Sequence, residues 1–353
     1  MGYSEDLVKE LKGVGEISPG AAESFSREFN RIVTVAEETL NRGQVDSAYI
    51  RSSTIHFGRT LEAVFRYSLW EALIGEAEMM ARGLTVRGLS GTLDSFLKTW
   101  IMAIMSAVGS PEVYELAGVL EILRARAELI ESSAAEEEAD SAAECDRDFM
   151  EYILAGRSSE AADRALSVYR QTGSLESTLS GVFYASLAEI GRRWRENVIG
   201  VAEEHAATSA LRAAARAFFN SISRDSEFDL SAAVICVPGD EHELGAEIIS
   251  LYLSSRGWKI YFVGRSLPEQ EVIREVGRGG YDAILLSVSM VRHLPAFEKL
   301  VREIRERYPR VFIIAGGSAL ADGSEVMRKA ADDVAATPNQ AHRILLKLGG
   351  VSA

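Results

Sequence analysis

Asp240, His242 and Gly245 stand in the order Asp-x-His-x-x-Gly within VPGDEHELGAEII, directly after the apolar run SAAVICV. Two more such run ends follow, Ser287 and Ser289 after DAILL, and Gly316 and Gly317 after VFIIA. An acid, a histidine, hydroxyls and bare backbone thus each close an apolar segment. If those segments are parallel strands, the residues meet along the sheet edge at which α/β folds bind ligands. The chemistry on offer is ligand binding. No convincing nucleophile–base pair or phosphate loop accompanies it, so the chain reads as a binder and not an enzyme. Taken alone, Asp-x-His-x-x-Gly is also what a solvated loop closing onto a helix looks like.

Positioning these residues requires an alternation of strands and helices, and the chain supplies one after residue 230. AAVICV, KIYFVG, DAILLSV and VFIIAGG alternate with amphipathic segments at 242–256, 268–277, 295–307, beyond Asp322 and at 338–348. That succession predicts a Rossmann-like, flavodoxin-like doubly wound parallel sheet of about five strands. Everything before residue 230 has helical periodicity. Helices are expected over 19–42, 46–82, 88–108 and 111–139, the second with Leu61, Val64, Phe65, Leu69 and Ala72 on one face. The acidic stretch 134–148 reads as a hinge, 142–223 has room for four shorter helices, and SRDSEFDLS at 223–231 reads as a connector. The expected domains are an all-α unit at 1–140, a helical-bundle cap at 141–225 and the sheet at 226–353.

Composition narrows the function classes. At 353 residues the chain exceeds one ordinary core. Its net charge of -14, without a Lys/Arg cluster, argues against a nucleic-acid binder. Cys145 and Cys236, 91 positions apart with no CxxC, give neither a disulfide framework nor a structural zinc site. WIMAIMSAV at 100–108 is well short of the roughly 20 residues that span a bilayer, and the N-terminus has no targeting pattern. A cytoplasmic protein with no membrane partner is expected.

The spacing of the run-end motifs resembles a known family. Asp-x-His-x-x-Gly, 41 residues to Ser287, and 26 residues from Ser289 to Gly316-Gly317 are similar to the signature of methionine-synthase-like cobalamin-binding domains. The middle motif departs from that signature, reading Ser-Val-Ser in place of Ser-x-Leu. The resemblance implies cobalamin bound with its nucleotide tail swung away from cobalt and slotted beside the Ser and Gly-Gly strand ends. His242 would be the lower axial ligand, Asp240 would hold its other ring nitrogen, and Gly316 and Gly317 would admit the tail.

A second motif lies upstream, in GRRWRENVIGVAEEHAATSAL, where nine residues separate Trp194 from Glu204 and His205. One continuous helix would set Trp194 and Glu204 about 280° apart, but Asn197 and Gly200 favour a break that brings them to one face. The spacing resembles that of light-sensing adenosylcobalamin domains of MerR-type carotenoid repressors. It implies Trp194 packing over the adenosyl group, Glu204 hydrogen-bonding it, and His205 ligating cobalt once light has released it. A corrinoid carrier for methyl transfer would share the lower half but has little reason for the upper motif.

The expected layout, a helical unit of globin-like or dimerisation type ahead of such a domain, resembles the photocobilins, which bind biliverdin as well as adenosylcobalamin. It implies a photoreceptor with light-dependent homo-oligomer assembly and an unidentified downstream effector. His56 is the only histidine of the N-terminal unit, with Arg51 and Arg59 placed to meet propionates and Phe57, Phe65, Tyr67, Trp70, Met79 and Met80 to wall a planar pocket. Haem on His56 and a buried core histidine are the alternatives.

Overall fold

A computed structural model describes residues 2–40, 47–85, 92–136, 145–196, 198–223, 228–265 and 267–350. The chain divides into two compact units, Met1–Ser141 and Ala142–Ala353. Most of the acidic stretch 134–148 lies outside the described residues, as does Asn197.

The first unit is all helical: α1 (Gly2–Val14), α2 (Pro19–Leu40), α3 (Ser47–Tyr67), α4 (Trp70–Thr85), α5 (Thr92–Ala107), α6 (Glu112–Arg124) and α7 (Ala127–Glu136). Its core is aromatic. Phe25 and Phe65 meet edge to face at 5.1 Å, as do Phe57 and Phe96 at 5.2 Å, an arrangement favoured by the ring quadrupoles. The helix expected over 46–82 is two helices. Ser68 takes a left-handed φ of 55° and ends α3, so Leu61, Val64 and Phe65 belong to α3 while Ala72 belongs to α4. Apolar periodicity runs across this joint and hides it. The helix expected over 111–139 also divides, at Ala125–Arg126, where Arg126 N–H reaches back only three residues to the Leu123 carbonyl. Helix α1 was not anticipated; it anchors through Leu7 and Leu11, one turn apart and both buried.

The second unit opens with α8 (Arg147–Leu154), α9 (Ser158–Thr172) and α10 (Leu175–Thr178), continues through a π-helical turn (Leu179–Tyr184) into α11 (Ala185–Arg195), and then α12 (Val201–Ser221). Asp146 starts α8 by accepting the Phe149 N–H at 2.9 Å, and Gly173 ends α9 at φ 63°. The Ala207, Ala210, Ala214 and Ala215 face of α12 is buried and small, which lets neighbouring helices approach closely.

The sheet follows: β1 (Ser231–Cys236), α13 (Leu244–Ser255), β2 (Lys259–Gly264), α14 (Glu269–Gly279), β3 (Ala283–Ser287), α15 (Leu294–Arg307), β4 (Phe312–Gly316), α16 (Leu320–Ala330), β5 (Asp333–Ala335) and α17 (Pro338–Leu348). All strands pair in parallel in the order β2-β1-β3-β4-β5, the flavodoxin-like order. The inner strands β1, β3 and β4 are apolar almost throughout because helices cover both faces. This is the Rossmann-like architecture read from the sequence, preceded by helices. The chain reverses direction in the sheet next to β1, so the crevice opens at the C-terminal ends of β1 and β3, where Cys236 pairs with Ser287 and Ser287 with Gly316.

Candidate corrinoid site

The loop after β1 carries the first group of side chains. Asp240 is fully buried and its carboxylate is surrounded by donors. Oδ1 accepts the His242 backbone N–H at 3.0 Å and lies 3.1 Å from His242 Nδ1; Oδ2 accepts the Ser289 N–H at 2.6 Å. Burial pushes the carboxyl pKa up, but the bonds from His242 and Ser289 and the His293 ring beside it outweigh it and hold Asp240 well below the usual carboxylate range. An ionised carboxylate only accepts, so Nδ1 of His242 is the ring nitrogen that donates to it, and Nε2 is the one left facing away. The side chain is 53% exposed. That is the condition of a histidine prepared to ligate a metal.

A carboxyl whose folded-state pKa lies below its unfolded value of about 3.9 stabilises the fold above that pH and loses this contribution as pH falls through the lower folded value. Asp240→Asn is therefore expected to lower stability by about 1–3 kcal/mol at neutral pH. It should also flatten the decline of the urea midpoint below about pH 4. A variant with the wild-type acid limb would show that Asp240 does not hold this charge.

The floor of the crevice is backbone. A Cβ on Gly317, at φ 105°, would stand 2.3 Å from the Val288 carbonyl oxygen, and one on Gly316 would stand 2.8 Å from that of Ala335. These glycines are demanded by the approach of neighbouring strands before any ligand is considered. Val288 N–H donates to the Gly316 carbonyl at 2.8 Å, and Ser318 Oγ donates to the Ser289 carbonyl at 2.8 Å. Ser287 is half-buried at the end of β3, and Ser289 Oγ lies 3.4 Å from the His242 carbonyl. Cys236, beside Ser287, is buried, and that burial raises its thiol to about 12, so it is inert. Both cysteines are free.

The second group sits at the corner between α11 and α12. Trp194 is the penultimate residue of α11 and 48% exposed, flanked by exposed Val198 and Val201. The corner is shaped by Val198 N–H bonding back to the Arg193 carbonyl and by Gly200 N–H donating to Glu203. Glu204 and His205 lie in the opening turns of α12. Glu204 Oε2 is 2.6 Å from His205 Nδ1, and Oε1 accepts from Thr208 at 2.8 Å. The His205 side chain is 75% exposed.

One helix joins the two groups. Arg212 of α12 donates to Glu243, the neighbour of His242, at 2.9 Å and to the buried Glu247 at 2.9 Å. Arg216 pairs with Glu247 and Arg265 with Glu243. At 1.5 Å per residue, His205 lies about 10 Å along α12 from the arginine tied beside His242. Tyr184, whose hydroxyl is 3.3 Å from the Gly245 carbonyl, ties the π-helical turn to the same loop.

The residues read as a bilin site fall into two environments. Phe57, Phe65, Trp70 and Met80 are buried among other core side chains, whereas His56, Arg59 and Met79 are exposed, so His56 is not a buried core histidine. Arg59 lies over the Phe29 ring at 4.0 Å and pairs with Glu62. The side chain of Arg51 lies outside the described residues.

Sequence reasoning missed His293. It stands on a short 3-10 turn after β3, its side chain only 12% exposed, with Nδ1 3.4 Å from Asp240 Oδ2. Its position four residues after Ser289, at the same strand end, was the available signal.

Residues 230–342 match the family model of the B12 binding domain, and residues 146–217 match a second model with the same description. The chain is 26% identical over 135 residues to the HTH-type transcriptional repressor CarH of Myxococcus xanthus, covering 38% of this chain and 44% of that one. It is 25% identical over 134 residues to dimethylamine corrinoid protein 3 of Methanosarcina mazei, covering 37% and 80%. The match thus spans less than half the length of the repressor. Among solved structures, the monomethylamine corrinoid protein of Methanosarcina barkeri aligns with 57% of this chain and 96% of its own, at 15% identity and a TM-score of 0.48. No helix among the described residues is long and apolar enough to cross a membrane.

Proposed function

We propose that this protein, which carries B12-binding domains related both to a repressor and to corrinoid proteins, is a light sensor using adenosylcobalamin and not an enzyme. The observation that supports the reading is the α11–α12 corner, where Trp194 ends α11 and Glu204 and His205 open α12, the helix whose Arg212 is tied to Glu243 next to His242. When bound, adenosylcobalamin supplies a light-labile cobalt–carbon bond. His242 would hold cobalt through Nε2, oriented by Asp240. Gly316, Gly317, Ser287 and Ser289 line the slot for the nucleotide tail, and Gly245 begins the helix beside it. Trp194 would cover the adenosyl group, Glu204 would hydrogen-bond it, and His205 would supply a second imidazole to cobalt.

The all-α unit at 1–140, the cap at 141–225 and the sheet at 226–353 act as sensor or dimerisation unit, upper cover and lower cradle. Light changes the contacts between copies of the chain in the cytoplasm, and a partner protein reads that change. Biliverdin as second chromophore is assigned to the exposed edge of α3 that carries His56 and Arg59.

Sizing in the dark and after green light, with adenosylcobalamin bound, tests the output. Wild type is expected to change its assembly state, and His205→Ala to bind the cofactor in the dark but fail to keep the lit state. Equal behaviour of the two proteins would favour the second reading, a corrinoid carrier for methyl transfer. That alternative is supported by the match to 80% of dimethylamine corrinoid protein 3.

A further inference from the structure

We infer that Glu189 is a positioning residue for Trp194, fixing the last turn of α11 from the buried side of the helix. The inference rests on the reading of the α11–α12 corner above and deepens it, by naming what orients the ring that would cover the adenosyl group. Glu189 is a carboxylate inside a helix bundle, only 3% exposed. A buried charge must be answered by its neighbours, and here two guanidinium groups on the next turn do so. Arg192 binds it bidentately, Nε to Oε2 and Nη2 to Oε1, both at 2.8 Å, and Arg193 Nε donates to Oε1 at 2.7 Å. The Arg192 guanidinium, seconded by Arg193, holds the Glu189 carboxyl below its usual range against the pull of burial. Arg192 also reaches the buried Glu196, one turn further on.

Arg193 connects this cluster to the corner. Its side chain is held by Glu189, while its carbonyl accepts the Val198 N–H at 2.9 Å and the Ile199 N–H at 3.3 Å as the chain leaves α11. Trp194 is the next residue, and at 100° per residue it projects about 140° around the helix from Glu189. The ionic face is therefore buried while the indole on the far side stays 48% exposed. A buried ion cluster adds little stability over apolar side chains of the same size. What it adds is direction, because planar guanidinium forks on a fixed carboxylate set the rotation of a helical turn more narrowly than apolar packing does.

The test is quenching of tryptophan fluorescence by acrylamide in the full-length, cofactor-free protein. Trp70, Trp100 and Trp258 are 3%, 0% and 4% exposed, so the accessible signal belongs to Trp194, and Trp194→Phe supplies the background. Acrylamide is uncharged, so a changed charge nearby does not alter its access. In Glu189→Gln and Arg193→Met the Trp194 component is expected to become more quenchable by up to about twofold, all that a ring at 48% exposure has left to gain from a loosened turn. Its anisotropy should fall as well. Arg193→Met leaves Glu189 paired with Arg192, so it decides alone if Glu189→Gln does not fold. Arg164→Met breaks the bidentate pair with Asp146 in the same unit and serves as the control. It should lower the urea midpoint and leave the quenching at the wild-type value. Unchanged quenching in either Glu189→Gln or Arg193→Met, once folded, overturns the inference, as does an equal rise in Arg164→Met, which would mean general loosening. Because no corrinoid is present, failure here leaves the corrinoid reading standing, and failure of that reading appears separately as absence of binding.

Discussion

His242→Ala is expected to weaken corrinoid binding by about a hundredfold or more, the upper end of what losing even a ligand's hydrogen-bond partner costs in a metal site. The argument is geometric. Asp240 is buried, ionised and directed at Nδ1, so the protein has fixed one ring nitrogen of a side chain that otherwise remains half open to solvent. An ordinary surface histidine receives no such support. Titration of wild type and variant with adenosylcobalamin in the dark measures the difference. A variant that binds within a few-fold of wild type would show that the tail slot, and not the axial ligand, carries the affinity.

Gly317→Ala is expected to destabilise the second unit by about 3 kcal/mol or more. Two costs add: a left-handed backbone at φ 105°, and a Cβ 2.3 Å from the Val288 carbonyl oxygen, which is backbone and cannot swing aside. Gly239→Ala provides the control. Gly239 also has a positive φ, 84°, but a Cβ there meets nothing within 4 Å, so its cost is strain alone, about 1 kcal/mol. Urea unfolding of the two variants measures the pair. Equal losses would mean that the close approach of the β3 and β4 ends relaxes at little cost, and that Gly317 is present for another reason.

The sheet was legible because parallel strands buried on both faces leave uninterrupted apolar runs, as in Val234–Ile235 and Ile284–Leu286, and because turn residues close each run. β5 left no such mark: Asp333–Ala335 is three residues with only Ala335 buried. The break at Ser68 was hidden because its neighbours on both sides keep a helical apolar period, and the left-handed turn is made by a serine and not by glycine. Local motifs exposed the acid and histidine that are neighbours in sequence. They did not single out His293, whose partner Asp240 is distant in the chain and is brought beside it by the parallel pairing of β1 with β3. The glycine pair was read as making room for a ligand, and the strand contacts show that the fold needs it first. The aromatic residues around His56 were read as pocket walls because helical spacing does not distinguish a pocket from a core; here they fill the core.

The most direct test of the central claim is the absorption spectrum of the wild-type protein reconstituted in the dark with adenosylcobalamin, then recorded again after green light. The account predicts a protein-bound spectrum in the dark that differs from the free cofactor's, and after light a stable product still bound to the protein that is altered in His205→Ala. Failure to bind adenosylcobalamin, or a preference for methylcobalamin with no stable bound photoproduct, would contradict it.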